Sequence, residues 1–158
     1  MPPGFALNSD TQTGALTISG VSMHGPAWNL LDLVPLWLHQ QTRGSNVLIP
    51  GTAGTRAYPL RVHEARHSLE MAITGWVDRN GVDQSDEWEG LQTNIEYLRA
   101  NIVSPPAAPT AIRAATLVMP DGTSRTADIQ VIGLTLGRHL FSHFSAVLDI
   151  VIPTGRFV

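Results

Sequence analysis

The sequence predicts a mainly β fold of the α+β class, in which a β-sandwich or barrel is flanked by one α-helix at about residues 85–103. Two observations lead to this prediction. Long strand-like runs fill the C-terminal third of the chain, and a single stretch carries a convincing helical repeat of apolar residues. Because one amphipathic helix cannot cover two sheets, the strands must also pack against one another.

The N-terminal half predicts shorter strands separated by turns. One strand is expected at residues 15–19 and another at residues 27–33. Apolar and polar side chains alternate from residue 66 to residue 78, as in a half-buried strand, and Arg79-Asn80-Gly81 is expected to end it. Between these strands, residues 39–59 are rich in Gly and Pro and predict a long loop with at most a brief strand at residues 47–49. Loops this long are usually functional or ordered by a partner.

The helix is predicted from its start signal and its apolar stripe. Ser85 is the expected N-cap, and three acidic residues load the first turn, where the helix dipole favours negative charge. Pro105 and Pro106 prevent the helix from continuing. The stripe recurs at helical spacing and consists of Trp88, Leu91, Ile95, Leu98 and Ile102.

The C-terminal third predicts three strands in succession. Residues 112–119 and 126–135 flank Asp121-Gly122, which is a strong signal for a hairpin turn. A third strand is expected at residues 140–152, after Gly137. Its predicted apolar face, at a period of two, consists of Leu140, Phe144, Ala146, Leu148, Ile150 and Ile152.

Composition limits the class of protein. With 158 residues, the chain is expected to form one domain, residues 1–158. It is 43% hydrophobic but only 15% charged, which favours burial of some apolar surface between subunits. The net charge of −3 argues against a dedicated nucleic-acid binder, and the absence of cysteine excludes disulfides and thiolate metal sites. No membrane span or signal peptide is predicted.

One motif suggests chemistry. His63-Glu64-Ala65-Arg66-His67 spells the H-E-x-x-H pattern of zinc hydrolases, in which a helix brings both histidines to one metal ion. The alternation that follows predicts a strand instead, on which His63 and His67 would lie roughly 13 Å apart. No third ligand stands in a supporting context. We therefore predict no catalytic residue, metal or cofactor, and keep a small zinc-dependent hydrolase using His63, Glu64 and His67 as the alternative.

Several short strings occur in an order that spans nearly the whole chain, from about Leu31 to Phe157. They are Asp32-Leu33-Val34-Pro35-Leu36-Trp37, Arg43-Gly44-Ser45-Asn46, Leu48-Ile49-Pro50-Gly51, Arg66-His67-Ser68-Leu69-Glu70-Met71 running into Gly75, Tyr97-Leu98-Arg99-Ala100-Asn101 and Val151-Ile152-Pro153-Thr154-Gly155-Arg156-Phe157. The order of these strings resembles the minor tail proteins of long-tailed, non-contractile phages of actinobacteria. The chain is thereby similar to the belt domain of distal tail proteins, whose fold resembles that of the tail-tube subunit.

This resemblance implies a structural virion protein at the tail tip, assembled in the host cytoplasm, and no enzyme. Six copies are expected to form a ring that joins the tail tube to the hub or baseplate. The implied partners are further copies of the chain, the tail-tube protein, hub and tip proteins and the tape measure protein, with DNA passing through without specific binding and no membrane. A tail-tube or tail-terminator subunit is the alternative within the same fold.

The resemblance also directs attention to the long loop at residues 39–59. We expect this loop to become ordered on a neighbouring subunit, with Arg43 and Arg56 making charge-assisted contacts. The expected interface residues are Arg43, Arg56, Trp37 and Ile49. Many distal tail proteins carry a second, galectin-like domain. Because this sequence ends at Val158, directly after its last predicted strand, receptor binding through such a domain is not expected.

Overall fold

Seven antiparallel strands form one curled sheet in the order β2-β1-β9-β10-β11-β8-β3. The computed structural model describes residues 13–37, 42–43, 46–48, 55–57, 61–62, 64–103 and 112–158, and for the four short segments between residues 42 and 62 it describes the backbone alone. The sheet strands are β1 (Ala15–Ile18), β2 (Val21–Ser22), β3 (Trp28–Leu30), β8 (Ala65–Ile73), β9 (Ile112–Val118), β10 (Ser124–His139) and β11 (Phe144–Ile152).

Strand β10 gives the sheet its curl. Its first half pairs with β9, and its second half pairs with β11, so the strand belongs to both halves of the fold. Two register shifts interrupt its pairing with β11, one between Val131 and Gly133 and one between Leu136 and His139. Ser145 Oγ accepts a hydrogen bond from the Arg138 N–H, 2.8 Å away, beside the second shift. Such bulges bend a strand and increase its twist, which turns a flat sheet into a barrel-like one.

The two edges of the sheet meet at Met23. Its N–H donates to the Leu16 carbonyl of β1 at 2.9 Å, and its carbonyl accepts from the Leu30 N–H of β3 at 3.1 Å. One residue further, His24 forms an isolated antiparallel bridge with Asn29. Met23 therefore completes hydrogen bonding between β1, which is next to one end of the sheet order, and β3, which is at the other end, and this reduces the exposed edges.

The core fills the inside of this curled sheet. Every second residue of β11 is buried, from Phe144 to Ile152, as the sequence predicts. The largest fully buried side chains come from strands, helix and loops alike: Leu16, Ile18, Met23, Leu33, Leu69, Met71, Ile73, Leu98, Ile102, Leu117, Ile129 and Leu148. The predicted face of the third C-terminal strand is wrong only at Leu140, which lies in the turn before β11 and is 40% exposed.

One long helix, α2 (Glu87–Asn101), covers the core. Its N-cap is Asp86, not the predicted Ser85, because Asp86 has extended backbone angles and its carboxylate accepts from the N–H groups of Trp88 and Glu89. Leu91, Leu98 and the C-cap Ile102 are buried and Ile95 packs against the core, which confirms these four members of the predicted stripe. Trp88 does not belong to that stripe, since it is 62% exposed.

The helix crosses the segment after β8 at two glycines. A Cβ atom on Gly90 would lie 2.0 Å from the Gly75 carbonyl oxygen, and one on Gly75 would lie 1.8 Å from the Glu87 carbonyl oxygen. Close to the crossing, the buried Asn94 donates from Nδ2 to the carbonyls of Thr74 at 2.7 Å and Val77 at 2.9 Å. Strand β8 consequently ends at Ile73, earlier than the predicted residue 78.

The predicted long loop contains paired strands, so that prediction is wrong in part. Strands β4 (Thr42–Arg43) and β7 (Arg61–Val62) pair with one another, as do β5 (Asn46–Leu48) and β6 (Thr55–Ala57), which nests one ladder inside the other. We call residues 42–62 the arm. These four strands have only two or three residues each, so their sequences are too short to show the alternation that predicts a strand. They can still form because each pairs with a strand close to it in the sequence.

No helix in the described part of the chain has the length and apolar character to cross a membrane.

Candidate assembly interface

The arm places two of the predicted interface residues on one nested hairpin. Arg43 pairs with Arg61 across the outer ladder, and Arg56 pairs with Val47 across the inner one. Ile49, the third prediction, lies outside the described residues. Trp37 ends the short helix α1 (Val34–Trp37) and donates from Nε1 to the Thr13 carbonyl at 3.1 Å while packing against the core. The structure thus places the two arginines on separate ladders of the arm and ties Trp37 to the body of the protein.

The described part of the H-E-x-x-H motif, residues 64–67, does not have the helical geometry that its chemistry needs. His67 lies on β8 opposite Ile150, and Glu64 forms an exposed ion pair with Arg66 at 3.2 Å. Burial lowers the pKa of His67. His63 lies outside the described residues. Within the ranges that the structure describes, no group of three His, Asp or Glu side chains is placed to hold a metal ion.

An aromatic cluster lies where the start of α2 meets the β10–β11 turn. The ring centroids of His139 and Phe144 are 4.3 Å apart in a stacked arrangement, and Trp88 packs against both at 5.6 and 5.4 Å. His139 Nε2 lies 2.9 Å from Glu87 Oε1, which fixes the imidazole beside the helix. In the adjoining turn, Phe141 is 90% exposed. We call these side chains the Trp88 cluster, and its exposed aromatic area is typical of a protein contact.

A cleft lies beside the other end of the helix. The Arg79 guanidinium lies 4.1 Å from the centre of the Tyr97 ring, and Tyr97 stacks on Trp28 with centroids 5.7 Å apart. The cleft has a volume of about 430 Å³, and its walls mix apolar side chains, such as Val21 and Pro26, with polar ones. We call it the Tyr97 cleft. It combines apolar contact surface with a cation in its wall, a combination suited to a ligand that has both an apolar and an anionic part.

The His24 ring makes two hydrogen bonds at the place where the sheet closes beside Met23. Nε2 accepts from the Leu16 N–H of β1 at 3.0 Å, and Nδ1 lies 2.9 Å from Asn29 Oδ1, next to the closing bridge. Because Nε2 is an acceptor, the neutral ring must carry its proton on Nδ1 and donate it to Asn29. Burial lowers the pKa of His24 from its ordinary value of 6.5, with the Asn29 hydrogen bond acting in the opposite direction.

This arrangement predicts a loss of stability in mild acid. The folded state binds a proton at His24 less readily than the unfolded chain does. The neutral ring's contribution to the free energy of unfolding is therefore fully present above about pH 6.5 and is lost as the pH falls through the lowered pKa. His67 acts in the same direction. We expect the free energy of unfolding in urea to fall between about pH 7 and pH 5. His24→Gln, which keeps a donor and an acceptor but does not titrate, should make this fall smaller, and an equally steep fall in that variant would contradict the assignment.

Sequence reasoning missed both surface features beside the helix. It assigned Trp88 to the buried stripe and treated Arg79 as a turn residue only. The spacing of Trp88 from Leu91 and Leu98 is compatible with one helical face, so periodicity alone does not separate an exposed end residue from a buried one. The three-ring packing of Trp88 depends on β10 and β11, which lie about fifty residues further along the chain.

The fold is a curled antiparallel β structure with one long flanking helix, as the sequence predicts, and it is similar to the fold of a solved phage protein. A solved structure to which the chain is similar is SPP1 Dit (gp 19.1), described as a paradigm of the hub adsorption apparatus in phages that infect Gram-positive bacteria. The TM-score is 0.57 at 12% identity, and the match covers 87% of this chain and 48% of that one. The chain therefore spans about half the length of SPP1 Dit. No family model and no curated protein matches the sequence.

Proposed function

We propose that the protein is a structural component of a phage tail, acting at the tail tip as a distal-tail-type subunit. The observation that carries this proposal is the fold itself, which is similar to that of SPP1 Dit in a match that covers 87% of the chain. The order of short strings shared with minor tail proteins of actinobacterial phages supports the same function. In this proposal the whole chain acts as one belt-like domain.

The proposed mechanism is assembly. Copies form a closed ring, with six as the expected number, which joins the tail tube to the hub proteins and surrounds the passing DNA and the tape measure protein. A ring needs a heterologous contact, in which one surface of each copy meets a different surface of the next. The arm is one candidate for that contact, because a hairpin that bears Arg43 and Arg56 suits charge-assisted binding to a neighbour.

A tail-tube or tail-terminator subunit remains the second candidate, since the same fold serves it. The behaviour of the isolated protein distinguishes the two. Electron microscopy of purified protein is expected to give single closed rings for a distal-tail-type subunit. Long stacked tubes would favour the tail-tube candidate. A protein that stays monomeric at every concentration would contradict both.

A zinc hydrolase is the competing proposal from another class. The strand position of His67 and the pairing of Glu64 with Arg66 do not favour it, because the reaction needs both histidines and the glutamate on one helical face. Metal analysis of the purified protein separates the two proposals directly: one zinc ion per chain, lost in a His67→Ala variant, would support the hydrolase.

A further inference from the structure

The Trp88 cluster and the Tyr97 cleft lie on opposite flanks of the same helix. Trp88 and Tyr97 are nine residues apart in α2, which is about two and a half turns at 3.6 residues per turn. Because this separation is half a turn more than two whole turns, the two side chains point in opposite directions from the helix axis. A head-to-tail contact between copies requires two different surfaces on each copy, and these two surfaces lie on different sides of the helix.

The Trp88 cluster has the properties of a projecting surface. Phe141 stands out in the turn before β11, and Trp88 is held in place beside it by its ring contacts with His139 and Phe144. Glu89, one residue along the helix, is exposed, and its carboxylate makes no ion pair with any residue that the structure describes. The surface therefore presents aromatic rings next to an unpaired negative charge.

The Tyr97 cleft has the complementary properties. Its volume of about 430 Å³ is sufficient for a phenyl ring, and its walls supply apolar contact. The Arg79 guanidinium lies over the Tyr97 ring and lines the cleft, and no carboxylate within the described ranges pairs with it. A guanidinium has five N–H donors, so one that contacts a ring can also donate to a carboxylate.

We propose that the Trp88 cluster of one copy docks into the Tyr97 cleft of the next copy, with Phe141 entering the cleft and Glu89 facing Arg79. This inference rests on the proposed ring, and it names the surfaces that form it. Charge complementarity selects a second copy as the occupant: the cluster is aromatic with an acidic neighbour, and the cleft offers apolar contact beside a basic side chain. Repetition of one such contact around a closing rotation gives a ring.

Single substitutions should weaken assembly. We expect Phe141→Asp and Arg79→Glu each to weaken self-association by about tenfold or more, as measured by sedimentation velocity. Combining Arg79→Glu with Glu89→Arg should restore association, because the charge pair is re-formed in reverse. The matched controls are Val82→Asp, at a position 57% exposed, and Arg99→Glu on the exposed side of α2, both of which should assemble normally.

Cysteine trapping tests the direction of the contact. The chain contains no cysteine, so Phe141→Cys and Asn80→Cys variants each carry a single thiol. Mixing the two variants with a short bismaleimide should give a cross-linked dimer, whereas each variant alone should give almost none. If the natural protein forms rings but the mixture does not cross-link, or Phe141→Asp assembles normally, this contact is wrong and the proposed function survives. If the natural protein does not self-associate at all, both are overturned.

Discussion

Replacement of Gly90 by alanine is expected to destabilise the protein severely, although alanine is the better helix former. In an open helix the change would stabilise by about 1 kcal/mol. Here the new methyl group would lie 2.0 Å from the Gly75 carbonyl oxygen, so α2 and the segment after β8 must move apart. We expect a net loss of about 3 kcal/mol or more, seen as a lower urea midpoint and a lower melting temperature.

The matched control for this change is Gly25→Ala. A Cβ atom on Gly25 would meet no other atom within 4 Å, and the residue has no positive φ that would disfavour alanine. Its unfolding midpoint should stay close to that of the unchanged protein. Gly75→Ala should resemble Gly90→Ala, because its methyl group would lie 1.8 Å from the Glu87 carbonyl oxygen. A Gly90→Ala protein with an unchanged or raised midpoint would show that the close crossing of helix and segment is wrong.

The Asn94→Asp variant is expected to lose about 3–5 kcal/mol of stability at neutral pH. Asn94 is 2% exposed, and its amide group donates to two backbone carbonyls, those of Thr74 and Val77. A carboxylate in its place has no proton to donate and buries a negative charge against two carbonyl oxygens. At lower pH the protonated acid can donate one hydrogen bond, so the deficit relative to the unchanged protein, measured in urea at each pH, should shrink.

Asn101→Asp provides the control on the same helix. Asn101 also donates from Nδ2 to a backbone carbonyl, that of Tyr97 at 2.8 Å, but it is only partly buried. Water can satisfy the groups that lose their partner there, so the expected loss is only about 1 kcal/mol, part of it from a negative charge near the C-terminal end of the helix. Equal losses in the two variants would contradict the structural role given to Asn94.

The features that were predictable from the sequence are those specified by neighbouring residues. The hairpin around Asp121-Gly122 is present, with Gly122 at φ +86°, and β9 and β10 pair on either side of it. The helix begins and ends within a few residues of its prediction, because a capping residue, an acidic first turn and two later prolines are all local signals. These signals give the fold class without any knowledge of long-range contacts.

The features that were not predictable depend on contacts between distant segments. Closure of the sheet at Met23 joins strands that are adjacent in neither sequence nor sheet order. The contact of Gly75 with Gly90 requires two backbones to meet, and a glycine inside a helix gives no indication of its partner. Likewise, the pairing of Arg79 with Tyr97 joins a turn to a helix face. Contacts of this kind, between distant segments, build the Trp88 cluster and the Tyr97 cleft. The sequence therefore indicated the arm but neither of these two surfaces.

In the proposed function, this protein is a β-sheet subunit that associates with copies of itself into a closed ring. The mass of the particle in solution, followed by sedimentation velocity over a wide range of protein concentration, tests that claim most directly. We expect one discrete species of about six chains that persists on dilution. A single species at the 17.1 kDa mass of one chain, throughout the range, would contradict it.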